Sequence, residues 1–326
     1  MRKCDGGKAD GNMKVALIDS GIRKDLLANA CVIEDLVVEE SGNIRPRTKK
    51  DGILTAHGTV CAQIIERYTD SVEFCSLQIF RDVSESATFD QLSAALRWCF
   101  VQNIPIVHMS IGTTRAQDAV LLRRIVAKMF GNGQILVAAY SNSSYVSYPA
   151  QFGGVFGVSA GHGLRGIQYE TDDVRKDMNF VASSKHVVIT PTGDKQETPM
   201  ANSFAAPTVT AAVCRILKRA KSPMNACEVY YALTGKKAEP MRPDFIEDAI
   251  IVNPSNCVLH RTFLFFEVIK YVNSLKELSD DEKENQSIVY IPKKTDDGNP
   301  EDDISRIKRL LYCGDGEGTK ARERRL

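Results

Sequence analysis

The chain alternates between short, uniformly apolar runs and longer segments in which apolar and small residues have helical spacing. The apolar runs have the length of buried strands. Residues 89–100 and 208–217 are predicted helices, and the second is dominated by small and apolar residues, with charge only at Arg215. Short apolar strands separated by helices are typical of a parallel sheet with helices on both faces. We therefore predict a three-layer α/β/α fold with a mostly parallel central sheet, whose strands include residues 15–18, 74–80, 104–109, 134–139 and 155–159.

The composition agrees with a large folded core. The 326 residues are 43% hydrophobic, which is enough for one α/β domain with an extension. The formal net charge of +1 gives no reason to expect a nucleic-acid partner, and no apolar run is long enough to span a membrane. Residues 1–12 carry positive charge without an apolar stretch, so we do not interpret them as a secretory signal.

The nine cysteines are scattered and show neither a CxxC pair nor the spacing of a metal site. A disulfide framework is typical of small secreted proteins rather than of a chain of this length. We expect buried, reduced thiols and a cytoplasmic location. The cysteines that lie inside apolar segments are Cys31, Cys61, Cys75, Cys99 and Cys214.

Ser203 stands at the head of the predicted helix that covers residues 208–217, in the run Asn202-Ser203-Phe204-Ala205-Ala206-Pro207. Unpaired backbone N–H groups and the positive end of the helix dipole meet at such a position. They suit a nucleophile whose reaction develops an oxyanion. A serine that only caps the helix is the commoner reason for this residue type at a helix start, so this motif alone leaves both interpretations open.

Two further segments favour the chemical interpretation. Asp19 follows the apolar run of residues 15–18, at the carboxyl end of a predicted parallel strand, where α/β folds place their active sites. His57 precedes a helix of small residues. Separately, a turn aspartate and a capping histidine would explain these two residues. Together with Ser203 they give the chain order Asp, His, Ser that one class of catalytic triad uses.

With these motifs, the chain resembles the subtilisin-like serine proteases, the subtilases, over residues 12–235. Four further segments between the triad motifs are similar to that family in the same order. The matching segments are Asp19-Ser20-Gly21, His57-Gly58-Thr59, Ser203-Phe204-Ala205-Ala206-Pro207, Val107–Gly112, Leu136–Asn142, Tyr148-Pro149-Ala150 and Val155–Ala160.

The resemblance implies a subtilisin-like fold and a role for each matching residue. Ser203 would be the nucleophile, His57 its general base, Asp19 the partner of His57, and Asn142 an oxyanion donor together with the Ser203 N–H. His108 stands in place of the family's asparagine, and we expect it to be a buried, hydrogen-bonded structural residue. The implied walls and floor of the S1 pocket are Ser110, Ile111, Gly112, Ala139, Tyr140, Ser141 and Ser147.

Three positions depart from the family pattern. Ala201-Asn202 replaces Gly-Thr before the nucleophile, and Ser141 replaces the glycine before the oxyanion asparagine. Glycines at such turns supply backbone conformations that a β-carbon disfavours. An alternative function is therefore a degenerate, non-catalytic subtilase that binds peptides in its cleft. We expect no cofactor and no metal, because no run of closely spaced Asp and Asn residues in the matching region resembles a calcium loop.

The predicted organisation is a mobile N-terminal tail at residues 1–12, a peptidase domain at 13–235 and a C-terminal extension at 236–326. We expect the extension to be partly ordered, with acidic loops, a short amphipathic helix over residues 304–312 and a basic tail. The predicted partner is a peptide or protein substrate. Removal of a leader from a precursor peptide is one such role, and control by an inhibitor is another possibility that the sequence leaves open.

Overall fold

The computed structural model describes two compact units, one that ends at residue 241 and one that begins at residue 242. Apart from Asn12, the predicted tail at residues 1–12 lies outside the described residues. The described ranges are 12–53, 55–69, 71–80, 86–142, 147–172, 178–238, 247–254, 266–285, 287–290, 309–312 and 323–325.

The first unit is built on a nine-stranded sheet of order β3-β2-β4-β1-β5-β6-β7-β9-β8. Neighbours from β2 to β9 pair in parallel, and the edge strands β3 and β8 pair antiparallel. A separate hairpin joins β10 to β11. The strands are β1 Met13–Asp19, β2 Cys31–Val38, β3 Ile44–Pro46, β4 Val72–Gln78, β5 Ile106–Met109, β6 Ile135–Ala139, β7 Val155–Ala160, β8 Tyr169–Thr171, β9 Asn179–Ala182, β10 Val187–Ile189 and β11 Lys195–Glu197.

Helices cover both faces of this sheet. Successive residues of β1 point to opposite cores: Val15 and Leu17 pack with α1, α4 and α5, whereas Ala16 and Ile18 pack with α2 and α3. Because both faces are buried, the central strands need apolar residues at every position. In the described residues, no helix combines the length and hydropathy needed to cross a membrane. The helices of this unit are α1 His57–Arg67, α2 Phe89–Val101, α3 Ala116–Gly131, α4 Asn202–Arg219 and α5 Ala226–Thr234.

The predicted three-layer α/β/α fold is confirmed by this sheet and its helices. Each of the five predicted apolar runs overlaps one of the strands β1, β4, β5, β6 and β7, and the predicted helices lie within or match α2 and α4. The apolar runs did not identify β2 or the strands of the β8–β11 region. Strands β8–β11 have only three or four residues each, and the apolar residues of β2 are interrupted by Glu34 and Asp35, so these strands carry a weaker hydrophobic signal.

The second unit contains a five-stranded sheet of order β13-β12-β14-β15-β16, parallel except for the last pair. The prediction of a helix over residues 304–312 is wrong at its end, because residues 309–312 form a strand paired with β14. Part of the predicted acidic loop is helical. The elements are β12 Glu247–Val252, β13 Phe266–Val272, α6 Asp280–Asn285, β14 Ser287–Tyr290, β15 Arg309–Tyr312 and β16 Glu323–Arg325.

Four of the five cysteines expected to be buried are buried free thiols, namely Cys61, Cys75, Cys99 and Cys214. Cys31 is only half-buried, because it begins β2 near the edge of the sheet. Burial raises the pKa of the Cys75 and Cys214 thiols to about 12. These thiols are therefore packing groups rather than thiolates at neutral pH.

Candidate active site

Asp19 ends the central strand β1, which lies between β4 and β5. Its carboxylate is fully buried and accepts a hydrogen bond from the Ser20 N–H at 2.7 Å. A buried carboxylate is stable in its charged form only when partners compensate for the lost water. The buried Asp19 carboxylate therefore needs at least one more hydrogen-bond donor besides the Ser20 N–H.

His57 supplies that donor. It is the first residue of α1, and its Nδ1 lies 2.9 Å from both carboxylate oxygens of Asp19. The entry to α1 is held by Gly58, whose N–H donates to Ser20 Oγ at 3.0 Å. A β-carbon at Gly58 would lie 2.6 Å from the Gly21 carbonyl oxygen, so only glycine lets α1 approach β1 this closely.

The two groups shift each other's pKa. Burial raises the pKa of Asp19. The charge of His57 and its hydrogen bond, with the hydrogen bond from Ser20, together lower this pKa by more than burial raises it, so the carboxyl titrates below its ordinary value. Burial lowers the pKa of His57, and the Asp19 charge raises it by more. Since an ionised carboxylate only accepts hydrogen bonds, Nδ1 carries a proton, and in the neutral ring Nε2 is the nitrogen that has the lone pair. The ring of His57 is thereby held with Nδ1 toward Asp19 and Nε2 on its far side.

Ser203 is the second residue of α4, and the cap position is held by Ala201, so Ser203 does not cap the helix. Its carbonyl accepts from Ser110 Oγ at 2.8 Å and faces the Cys61 thiol at 3.7 Å. The Phe204 ring packs 5.2 Å from the His57 ring. The first turn of α4 thus lies against the Asp19–His57 pair. Among the described residues, the side-chain hydrogen bonds of this group do not include one from His57 to the Ser203 hydroxyl.

Asn142 is exposed, and its side chain reaches the start of α4. Its Oδ1 accepts a hydrogen bond from the Asn202 N–H at 2.8 Å. This bond assigns the orientation of the amide, because an oxygen must face the N–H group. The Nδ2 group is then the donor that can meet a substrate oxygen, as the predicted oxyanion role requires.

The segments predicted to line S1 lie side by side. Thr113 and Tyr148 form an antiparallel bridge with two backbone hydrogen bonds of 2.8 Å, which sets Gly112 beside Ser147. A β-carbon at Gly112 would lie 2.7 Å from the Tyr148 carbonyl oxygen. The Ser147 hydroxyl accepts from the Ser141 N–H at 2.8 Å. Residues 143–146 lie outside the described residues.

The side chains of two predicted S1 residues are directed elsewhere. Ala139 and Tyr140 belong to the two cores, and the Tyr140 hydroxyl donates to Asn179 Oδ1 at 2.6 Å. Any S1 wall formed by these residues is therefore made of backbone. Ser110 uses its hydroxyl to hold Ser203, while Ile111 is half-buried beside the core that contains α2 and α3.

His108 is fully buried, and its ring connects Thr210 of α4 to Ser110, the residue whose hydroxyl bonds to the Ser203 carbonyl. Its Nε2 lies 3.1 Å from Ser110 Oγ and its Nδ1 lies 2.8 Å from Thr210 Oγ1. The single hydroxyl hydrogen of Ser110 goes to the Ser203 carbonyl, so His108 Nε2 must donate to Ser110. Nδ1 then accepts a hydrogen bond from the Thr210 hydroxyl. That hydroxyl also lies 3.2 Å from the Ala206 carbonyl, but its contact with Nδ1 is shorter. The motifs did not indicate this connection.

The acid stability of the protein is expected to depend on His108. Burial lowers the pKa of His108 to about 4 from an ordinary value of 6.5. As the pH falls from 6.5 to 4, the imidazole of His108 is protonated in the unfolded chain but not yet in the folded protein. The free energy of unfolding, which is full above pH 6.5, therefore decreases across this range. The loss approaches roughly 3 kcal/mol. Urea unfolding at several pH values should show it.

His108→Asn is the control for this measurement, because an amide retains hydrogen-bonding capacity but does not titrate. The variant should lose less stability than the wild type between pH 6.5 and pH 4, although Asp19 and His57 contribute their own pH dependence to both proteins. An identical decline in the two proteins would show that His108 is not the responsible group.

Comparisons with known proteins show the family of this chain. Residues 10–245 match the model of the subtilase family, peptidase family S8. The minor extracellular protease Epr of Bacillus subtilis (strain 168) is 30% identical over 165 residues, which cover 47% of this chain and 24% of that protein. Subtilisin NAT of Bacillus subtilis subsp. natto is 25% identical over 237 residues, which cover 68% of this chain and 59% of that protein.

Solved structures share the fold at low sequence identity. Sphericase superposes with a TM-score of 0.53 at 17% identity, covering 69% of this chain and 83% of that chain. The nisin leader peptidase NisP from Lactococcus lactis has a TM-score of 0.51 at 16% identity, covering 67% and 80% respectively. The chain thus spans less than two thirds of the length of Epr and of subtilisin NAT, and most of the length of these two solved chains.

Proposed function

The chain belongs to the subtilase family, and from this premise we propose that it is a serine endopeptidase that uses Asp19, His57 and Ser203 as its triad. The observation that carries the proposal is the fully buried Asp19 carboxylate, whose two oxygens lie 2.9 Å from His57 Nδ1. Burial of a charge is costly. A paired charge that orients an imidazole beside a helix N-terminus has a clear catalytic use.

In the proposed mechanism, His57 Nε2 removes the proton from Ser203 as the hydroxyl attacks the scissile carbonyl. Asp19 stabilises the imidazolium that forms and keeps the ring in its orientation. The developing oxyanion receives hydrogen bonds from Asn142 Nδ2 and the Ser203 N–H, at the positive end of α4. His57 then returns the proton to the leaving amine, and water resolves the acyl-enzyme by the same steps in reverse.

We further propose that the substrate is an extended peptide segment, such as a precursor from which a leader is removed. Residues 110–112 follow β5 and offer backbone groups with which an extended substrate can pair. The predicted S1 residues include no carboxylate, so a neutral P1 residue is favoured over Arg or Lys. The structurally similar NisP is described as a leader peptidase. The buried free thiols are compatible with a reducing, cytoplasmic setting.

Peptide length should have a large effect on turnover. Peptides that extend several residues before the scissile bond are expected to have a kcat at least about tenfold higher than peptides truncated to one residue before that bond, because remote binding energy positions the carbonyl at Ser203. The measurement is kcat and KM for a nested set of peptides with one cleavage site, identified by mass spectrometry. Equal kcat across the series would contradict recognition along an extended cleft.

A further inference from the structure

Asn202 makes an unusual set of contacts for the first residue of a helix. Its side-chain Oδ1 accepts a hydrogen bond from the Ala160 N–H at 2.8 Å. Its Nδ2 donates to the Ser141 carbonyl at 2.9 Å and to the Tyr140 carbonyl at 3.2 Å. Both amide hydrogens and one oxygen lone pair are therefore used on backbone groups of other elements.

These partners lie at the carboxyl ends of two adjacent strands. Tyr140 and Ser141 directly follow β6, and Ala160 is the last residue of β7. Backbone carbonyls that leave a sheet lose their ladder partners, and buried ones need a replacement. The Asn202 side chain supplies that replacement at the turn where Ser141 stands in place of a glycine.

The backbone of Asn202 also bonds to the segment that follows β6. Its N–H donates to Asn142 Oδ1 at 2.8 Å, the bond that orients the Asn142 amide. The Asn202 side chain thus holds the backbone of residues 140 and 141, and the Asn202 N–H holds the side chain of Asn142. Asn202 is also covalently joined to Ser203, whose N–H is the other proposed oxyanion donor.

Helix capping does not explain these contacts. The cap residue of α4 is Ala201, which has no capping side chain, and Asn202 lies inside the helix. A capping side chain would accept from an N–H of the first turn of its own helix. The Asn202 oxygen instead accepts from the Ala160 N–H, which belongs to strand β7 and not to α4.

We infer that Asn202 is a positioning residue that sets the distance between the Asn142 Nδ2 donor and the Ser203 N–H. The inference rests on the proposed function, since it concerns the oxyanion site of that reaction. Oxyanion donors contribute only when they lie within hydrogen-bond distance of the developing charge, and a displacement of about 1 Å removes much of their effect. Asn202 connects the two donor segments directly, so it controls this geometry.

Asn202→Ala should lower kcat by about 10- to 100-fold, below the roughly 100- to 1,000-fold ceiling for loss of a whole oxyanion donor, with KM changed by less than about threefold. Asn202→Asp is the second variant. It keeps the shape and the acceptor for Ala160 but places an oxygen against the Tyr140 and Ser141 carbonyls, so it should lose kcat at least as strongly.

A double-mutant cycle with Asn142→Ala identifies the route of the effect. If Asn202 acts through Asn142, then Asn202→Ala should change kcat by less than about threefold in the Asn142→Ala background. Full additivity of the two losses would overturn the inference, as would a wild-type kcat in both Asn202 variants.

Gln134→Ala is the matched control. Gln134 precedes β6 at its opposite end and also donates through its amide to two backbone carbonyls, those of Cys99 and Ile104, at 2.9 and 2.8 Å. The variant should lower the melting temperature without the selective loss of kcat. An equal loss of kcat in Gln134→Ala would show that general destabilisation explains the Asn202 result.

Amide hydrogen exchange of residues 139–142 gives a readout that does not need activity. Exchange should be faster in Asn202→Ala than in the wild type and unchanged in Gln134→Ala. An inactive wild type that shows this pattern would refute the proposed function and leave the anchoring role of Asn202 in place. Unchanged exchange in an active enzyme would refute the anchoring role alone.

Discussion

Ser203→Ala is expected to lower peptide hydrolysis by several orders of magnitude, on the order of 10⁴-fold or more, with little change in the melting temperature. The substitution removes one oxygen from a half-buried side chain, while the bonds that hold Ser203 in place use its carbonyl and not its hydroxyl. The measurement is kcat on a long peptide, together with labelling of Ser203 by a fluorophosphonate in the wild type.

Two controls make this result specific. Ser93→Ala changes a serine on α2, whose hydroxyl accepts from Arg97 at 2.7 Å, and it should retain full activity and labelling. His57→Ala should lose about as much activity as Ser203→Ala, and the double variant should be little worse, because the two residues act as a unit. Wild-type protein that binds peptides but neither cleaves them nor reacts with the probe would favour the non-catalytic, peptide-binding alternative.

Asp19→Asn is expected to cost about 10⁴-fold in kcat. The asparagine has nearly the same shape, but it removes the negative charge that raises the pKa of His57. Its NH₂ group can also donate to Nδ1, which would place the ring proton on Nε2 and prevent that atom from accepting the Ser203 proton. The measurement is kcat at several pH values, with circular dichroism to verify the fold.

Asp35→Asn is the matched control for Asp19. Asp35 lies on β2 and is also a largely buried carboxylate, paired with Arg47 at 2.7 Å. Its replacement should lower stability and leave kcat near the wild-type value, since no catalytic group contacts it. Activity of Asp19→Asn within about tenfold of the wild type would contradict a triad role, because loss of that role costs far more.

Much of the first unit could be predicted because its sequence signals are local. The run of residues 15–18 is apolar at every position since both faces of β1 are buried, and such a run is visible without knowledge of its neighbours. Asp19, His57 and Ser203 could be singled out because each stands at the end of a strand or the start of a helix. Their assembly into one triad remains a prediction for the variants above to test.

The predictions were weaker where the hydrophobic signal is short or mixed. Residues 309–312 form β15 rather than the end of a helix, because β14 and β16 offer backbone partners on either side. A segment of four residues fits either structure by its own pattern. The sheet of the second unit was therefore not recognisable from the apolar runs that made the first sheet evident.

The sequence by itself determined the fold class, the central strands and the residues that carry the proposed chemistry, because periodicity and motif order are properties of neighbouring positions. Only the tertiary structure decided what Asn202 and His108 do. Asn202 bonds to Ala160, more than forty residues away, and His108 to Thr210, about a hundred residues away. Such hydrogen bonds form when the sheet brings distant strand ends and the start of α4 together, and no local pattern encodes which polar groups will then lack a partner.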